Sequence, residues 1–196
     1  MTDLKNIRQP LQWLEILNKT IGSAKCRIND KEVSFVEGLG AVTDLLRYAS
    51  EFANTVWWVG NGGSAAICSH LSQDMMNKLG IKSYCFNDSS LMTCMANDYG
   101  YENVYARPLT VHASENDILI AISSSGNSAN ILNAVDVATK ENMQIITLSG
   151  MKEDNKLWNT KSNVSFWVSS DLYGIVEVSH EAILHGIIET MWLENR

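Results

Sequence analysis

The sequence predicts an α/β fold in which a parallel sheet lies between layers of helices. Short apolar runs alternate with longer segments whose apolar residues recur at helical spacing. Few hairpin signals separate the runs, and strands that are joined through helices are parallel. Five strands are expected, at 55–59, 82–86, 117–122, 144–148 and 164–168.

Helices are expected in the remaining segments. Two of them, near 11–21 and 35–49, precede the first strand, and the later ones fall at 64–79, 90–96, near Asn155, 129–140 and 176–193. Residues 1–196 are expected to form a single domain, with the N-terminal helices in 1–50 and the nucleus of the α/β fold in 51–196. If the strand order is the flavodoxin-like 2-1-3-4-5, the first and third strands are neighbours and ligands bind at their carboxyl ends.

The composition argues against a nucleic-acid surface and a membrane span. Lys and Arg number 15 against 22 Asp and Glu, which gives a net charge of -7. No apolar stretch approaches the roughly 20 residues of a membrane span, and polar residues 1–6 are not expected to be a signal peptide. The four cysteines lack a disulfide or metal spacing, and Cys85 and Cys94 are expected to be reduced core thiols. The expected compartment is the cytoplasm.

Two polar turns follow the first and third predicted strands. We call residues 60–64 the glycine turn and residues 123–128 the serine loop. Each points backbone N–H groups and a helix N-terminus at one spot, which favours an anion such as phosphate. Neither turn matches GxGxxG or GxxxxGK[ST], so no nucleotide cofactor is expected. Hydroxyl donors come from Ser64, Ser123, Ser124, Ser125 and Ser128.

The purely structural alternative for the glycine turn is a sharp connection between a strand and a helix. In that interpretation Gly62 and Gly63 supply only backbone freedom, and Ser64 is an N-cap. The serine loop is harder to explain in this way, because an N-cap needs one hydroxyl and the loop carries four serines. Together the turns indicate a site for a phosphorylated sugar.

Ionisable side chains cluster on two predicted helices. His70 and Asp74 are four residues apart, on one helical face, and the last helix carries Glu177, His180, Glu181 and His185. Imidazole and carboxylate groups beside a polar pocket can move protons or bind a divalent metal. The alternatives are a surface i,i+4 pair for His70 and Asp74 and a solvated helix face for His180 and Glu181.

Three motifs resemble the signatures of sugar isomerase (SIS) domains, and more narrowly those of the phosphoheptose isomerases. They are the glycine turn, residues 96–100 (Ala-Asn-Asp-Tyr-Gly) and residues 122–128. The resemblance implies a flavodoxin-like sheet with added N-terminal helices and a homotetramer with active sites at subunit interfaces. It implies conversion of sedoheptulose 7-phosphate to D-glycero-D-manno-heptose 7-phosphate through a cis-enediol, for lipopolysaccharide or capsule synthesis.

The resemblance also implies roles for individual residues. The zinc positions of the family fall on His70, Asp74, Glu177 and His185, although the family has Glu where this chain has Asp74 and Gln where it has Glu177. The expected base is Asp74, with Glu177 as its substitute, and His185 is the expected acid. Substrate contacts are expected from Asn61, Gly62, Gly63, Asn97, Asp98, Ser123, Ser124, Ser125 and Ser128.

Two other functions are compatible with the sequence. The substitutions at positions 74 and 177 suit an isomerase for a different phosphosugar of surface-glycan synthesis. They also suit a non-catalytic, regulatory SIS protein similar to the relative that associates with a replication initiator. The presence of both His70 and His185 favours catalysis over the second alternative.

Overall fold

A computed structural model describes residues 7–194 of the chain. The polar segment 1–6, where no signal peptide is expected, lies outside the described residues, as do residues 195–196. The described strands form one sheet in the order β2-β1-β7-β6-β5-β3-β4. They are β1 (Lys25–Ile28), β2 (Lys31–Val33), β3 (Val56–Gly60), β4 (Ser83–Cys85), β5 (Ile118–Ser123), β6 (Gln144–Gly150) and β7 (Val164–Val168).

Seven α-helices accompany the sheet in the part of the chain that the structure describes. A 3-10 turn over Tyr101–Asn103 precedes the fifth helix. The helices are α1 (Pro10–Gly22), α2 (Phe35–Phe52), α3 (Gly63–Leu79), α4 (Ser89–Tyr99), α5 (Ala106–His112), α6 (Ala129–Lys140) and α7 (Tyr173–Glu194).

The five predicted strands are all present, and they confirm the α/β fold class. They correspond to β3 to β7, they are parallel to one another, and their order β4-β3-β5-β6-β7 is the flavodoxin-like 2-1-3-4-5. Strands β3, β5 and β7 are buried along their whole length. Burial on both faces explains why continuous apolar runs marked these strands in the sequence.

The predicted strand count of five is too low, because the described sheet also contains a hairpin of two strands. Strands β1 and β2 form an antiparallel pair, and β1 also pairs antiparallel with β7 at the sheet edge. Asn29 and Asp30 join them with φ values of 47° and 65°, the left-handed conformation of a two-residue hairpin turn. The N-terminal region therefore contains two strands in addition to its two predicted helices.

Two local predictions also differ from the structure, and one helix was not predicted. The segment around Asn155 forms turns rather than a short helix, and α5 had not been expected. Cys94 is exposed on α4 instead of lying in the core, whereas Cys85 is partly buried. Helix α4 packs Leu91, Met92 and Met95 against the core, and Cys94 lies on its exposed side.

Two apolar clusters cover the two faces of the sheet. One face packs against α2, α3 and α7 and includes Trp58 and Phe166. The other packs against α5 and α6 and includes Trp57 and Leu119. Among the helices described, none is long and apolar enough to cross a membrane.

Candidate active site

The glycine turn and the serine loop begin side by side at the carboxyl edge of the sheet. Strand β3 ends at Gly60, which pairs with Ile122 of β5 in parallel register. The predicted strand order requires β3 and β5 to be neighbours, and the structure confirms this pairing. Because the sheet order reverses here, the two turns face the crevice in which open α/β sheets bind ligands.

A cavity of about 200 Å³ lies between the two turns, and we call it the hydroxyl cavity. Ser123 and Ser124 are buried in its wall, and the Ser123 hydroxyl lies 3.3 Å from that of Ser128. The Ser124 hydroxyl is buried and has no hydrogen-bond partner in the structure. A buried polar group needs a partner, and Ser124 lines the cavity, where a ligand or a water is positioned to be one. The cavity is lined by Asn61, Ser64, Ile122, Ser123, Ser124, Ser125, Ser128, Tyr173 and Glu177.

Glu177 reaches the hydroxyl cavity from the first turns of α7. Its carboxylate lies so close to Gly63 that a side chain at position 63 would overlap it. Gly62 caps the helix with φ of 55° and ψ of -120°, so the turn needs glycine at that position. The glycine turn therefore brings the N-terminus of α3 directly against the acidic side chain of α7.

Asn61 connects the glycine turn to the first turn of α6. Its side-chain amide exchanges two hydrogen bonds with Asn130, at 2.9 and 2.8 Å, and Tyr101 donates to its oxygen at 3.3 Å. Asn61 also lines a second cavity of about 350 Å³ between α3 and α4. The predicted substrate ligand Asn61 is thus held rigidly at the boundary of both cavities.

Asn97 and Asp98 lie apart from the hydroxyl cavity. Both are exposed on α4, where the Asn97 amide donates to the Asp98 carboxylate at 2.8 Å. Neither residue lines the two cavities described above. Within one chain, the structure does not bring these two predicted substrate ligands to the serine loop.

His70 of α3 and His185 of α7 face each other where the two helices pack together. Their Nε2 atoms are 3.1 Å apart. Glu181, one helical turn before His185, completes a group whose ligand atoms all lie within 4.8 Å of one another. Two imidazoles and one carboxylate are ligands that suit zinc, and three protein ligands leave a position open.

Asp74 belongs to a second group, with His185 and Glu189. Lys78 lies between its two carboxylates: its ammonium donates to Asp74 at 2.9 Å and also to Glu189. The hydrogen bond from Lys78 lowers the pKa of Asp74, and burial opposes this only in part. A cation of the protein itself therefore already neutralises the carboxylate that was predicted to be the base.

The ionisable residues of α7 thus occupy three different environments. Glu177 belongs to neither group of potential metal ligands and lines the hydroxyl cavity instead. His180, for which a solvated face was one alternative, is buried, with Nε2 3.0 Å from the Ser149 carbonyl oxygen. Burial lowers the pKa of His180 to about 4, so this imidazole is neutral at neutral pH.

Sequence reasoning missed several residues of this region. Glu181 was noted on the helix but not placed in the predicted metal set, and Lys78, Tyr173 and Glu189 were not singled out. The spacing of four between Asp74 and Lys78 indicates an ion pair, so Lys78 had a detectable signal. Tyr173 and Glu189 had none, since their role depends on how α7 packs against α3.

Comparison of the sequence with known proteins identifies a family and several relatives. The sequence model of the SIS domain family matches residues 29–150. A phosphoheptose isomerase of Sodalis glossinidius is 31% identical over 146 residues, or 72% of this chain and 74% of that protein. One from Rhodospirillum rubrum is 32% identical over 139 residues, or 67% and 71% of the two chains.

Solved structures share the fold. A phosphoheptose isomerase from Francisella tularensis superimposes over the full length of both chains with a TM-score of 0.80 and 23% identity. The enzyme GmhA from Neisseria gonorrhoeae gives a TM-score of 0.77 at 23% identity, over 92% of this chain and 91% of that one.

The chain belongs to the SIS domain family, whose sequence model matches more than half of it. Its relatives include phosphoheptose isomerases that are more than 30% identical, which places it among the aldose–ketose isomerases.

Proposed function

We propose that the protein interconverts sedoheptulose 7-phosphate and D-glycero-D-manno-heptose 7-phosphate through a cis-enediol. The observation that carries the proposal is the continuity of the site along α7. Glu177 lines the hydroxyl cavity, and Glu181 and His185 follow at successive turns of the same helix. With a rise of 1.5 Å per residue, the hydroxyl cavity and His185 are separated by about 12 Å of helix, a span that suits an extended sugar phosphate.

The serine loop is proposed to bind the phosphate end of the substrate. The hydroxyl cavity, at about 200 Å³, is below the roughly 300–1,000 Å³ typical of whole-ligand sites, so it suits one end of a longer molecule. Its donors are the buried hydroxyls and the N–H groups at the start of α6 and α3. Binding energy from the phosphate positions the reacting carbons between the Glu177 carboxylate, in the cavity wall, and His185.

Glu177 is the proposed base, in place of Asp74. Among the carboxylates of α3 and α7, Glu177 lines the hydroxyl cavity, whereas Asp74 is held by Lys78. Glu177 would take the proton from the carbon beside the carbonyl and return it to the neighbouring carbon. The His185 ring nitrogen that does not bind the metal would pass a proton between the two substrate oxygens. Paired carboxylate and imidazole groups of this kind suffice for an enediol reaction.

Zinc is the proposed metal, with His70, Glu181 and His185 as its ligands. The donor set fits, because the three ligand atoms lie within 4.8 Å of one another and all three side chains are common zinc ligands. A zinc ion supplies Lewis-acid polarisation of the sugar carbonyl. The chain's own contribution is to hold the two imidazoles on facing helices.

The proposed assembly is a homotetramer with active sites at subunit interfaces, as the family resemblance implies. The exposed position of Asn97 and Asp98 on α4 supports it, since a neighbouring subunit offers these side chains a route to a substrate site. Light scattering on the purified protein is expected to give four times the mass of the 21.8 kDa chain. A monomer with full activity would contradict the shared site.

The proposed function is tested by incubating the purified protein with a panel of ketose phosphates in deuterated water. Sedoheptulose 7-phosphate is expected to be converted and to gain deuterium at the carbon beside the carbonyl. The same label in another sugar instead would identify an isomerase for that sugar. Tight binding of phosphosugars without label in any of them would indicate a regulatory protein.

The ligand set of the metal can be tested without measuring turnover. Cobalt(II) binding is followed by its visible absorption in wild-type, Glu181→Gln and Asp74→Asn proteins. We expect Glu181→Gln to weaken cobalt binding by more than about 100-fold, since loss of even an indirect partner of a metal costs about 10- to 100-fold, and Asp74→Asn to leave it within about threefold. The opposite pattern would restore Asp74 to the metal set that the family resemblance implies.

A further inference from the structure

The serine loop is supported from behind by the turns that follow β6, residues 151–160, which we call the support segment. The Leu157 N–H donates to the Gly126 carbonyl at 2.9 Å, and the Lys156 N–H donates to the Asn127 side-chain oxygen at 3.2 Å. Both acceptors belong to the serine loop. The position of the loop therefore depends on a segment that is distant from it in sequence.

Asn155 organises the support segment. Only 1% of its surface is exposed, although asparagine is mostly a surface residue. Its side-chain oxygen accepts from the Trp158 N–H at 2.8 Å, and its amide donates to the Lys152 carbonyl at 2.7 Å and the Gly150 carbonyl at 3.4 Å. These three bonds use both ends of the side chain to close the turn.

The Asn155 side chain also packs directly against Gly126. A methyl group on Gly126 would overlap the amide of Asn155, and Gly126 has φ of 64°, where side chains are strained. The serine loop and the support segment therefore pack tightly against each other where Asn155 meets Gly126. Movement of Asn155 would release the turn that presents the serine hydroxyls.

We infer that Asn155 is a positioning residue of the phosphate-binding loop. It acts through Gly126 and does not touch the ligand, and the inference rests on the proposed role of the serine loop in phosphate binding. Hydroxyl hydrogen bonds weaken steeply once distance and angle depart from the optimum. An unsupported serine loop would therefore bind phosphate less tightly without losing any of its donors.

The test compares Asn155→Ala with Asn159→Ala, using inorganic phosphate and calorimetry. Asn159 is a matched control, because it lies in the same segment and, among the described residues, its amide donates to the backbone carbonyls of Asn155 and Glu153 and not to the serine loop. We expect about tenfold weaker phosphate binding in Asn155→Ala, which corresponds to one hydrogen bond, and unchanged binding in Asn159→Ala. With the sugar substrate, KM should rise about tenfold while kcat stays within about twofold.

Equal phosphate affinity in Asn155→Ala and wild type would overturn this inference alone. Failure of the wild-type protein to bind phosphate would overturn the proposed function as well. If Asn155→Ala does not fold, Asn155→Ser, which keeps one hydrogen-bonding group, replaces it. A double-mutant cycle between positions 126 and 155 adds a second criterion. Gly126→Ala should weaken phosphate binding more in the wild-type protein than in the Asn155→Ala or Asn155→Ser variant. Additive effects of the two substitutions would contradict the contact between Gly126 and Asn155.

Discussion

Replacing Glu177 with Gln should slow isomerisation by about 10²- to 10⁴-fold, the usual effect of removing a general base. The amide keeps the size of the side chain and its place against Gly63 but cannot accept the proton. Affinity for inorganic phosphate should be equal or higher, because a negative charge leaves the wall of the hydroxyl cavity. The measurements are kcat with sedoheptulose 7-phosphate and phosphate binding by calorimetry.

Asp74→Asn is the matched comparison for Glu177→Gln. Both substitutions turn a carboxylate into an amide of equal size, but Asp74 is bonded to Lys78 and its pKa is lowered by that hydrogen bond. We expect less than about a tenfold loss of kcat, because a carboxylate with a lowered pKa is a weak base and Lys78 retains Glu189 as a partner. A larger loss in Asp74→Asn than in Glu177→Gln would return the role of base to Asp74.

The core of the fold was predictable because its strands are buried on both faces. β3 and β5 are unbroken apolar runs that end in polar turns, which is the pattern of strands covered on both faces of a parallel sheet. The β1–β2 hairpin escaped prediction because its residues are mostly polar and its pairing with β7 is a long-range contact. The Asn29-Asp30 turn was its one local signal.

The candidate site was predictable where it is local and unpredictable where it depends on helix packing. The glycine turn and the serine loop are continuous in sequence, and parallel register brings them together. The residues of α7 are different, because Glu177, Glu181 and His185 share one face of the helix and periodicity cannot rank them. Only the contact of α7 with α3 assigns Glu181 to the histidines and Glu177 to the hydroxyl cavity.

The two histidines of α7 should respond to alanine substitution in opposite ways. His185 is partly exposed and faces His70, so His185→Ala should reduce kcat by about 10²- to 10⁴-fold and change the free energy of unfolding by less than about 1 kcal/mol. His180 is buried against Ser149, so His180→Ala should lower the free energy of unfolding by about 2–4 kcal/mol. The loss combines an internal cavity with a carbonyl deprived of its partner.

Urea unfolding and steady-state kinetics on both variants separate the two roles. Folded His180→Ala protein should keep kcat within about tenfold of wild type, since its imidazole lies outside the groups of potential metal ligands. His185→Ala should also lose cobalt binding, because it removes one of the three proposed ligands. A stable His185→Ala protein that still binds metal and is active would mean that the facing imidazoles serve packing alone. The reacting end of the sugar would then have to lie away from α7.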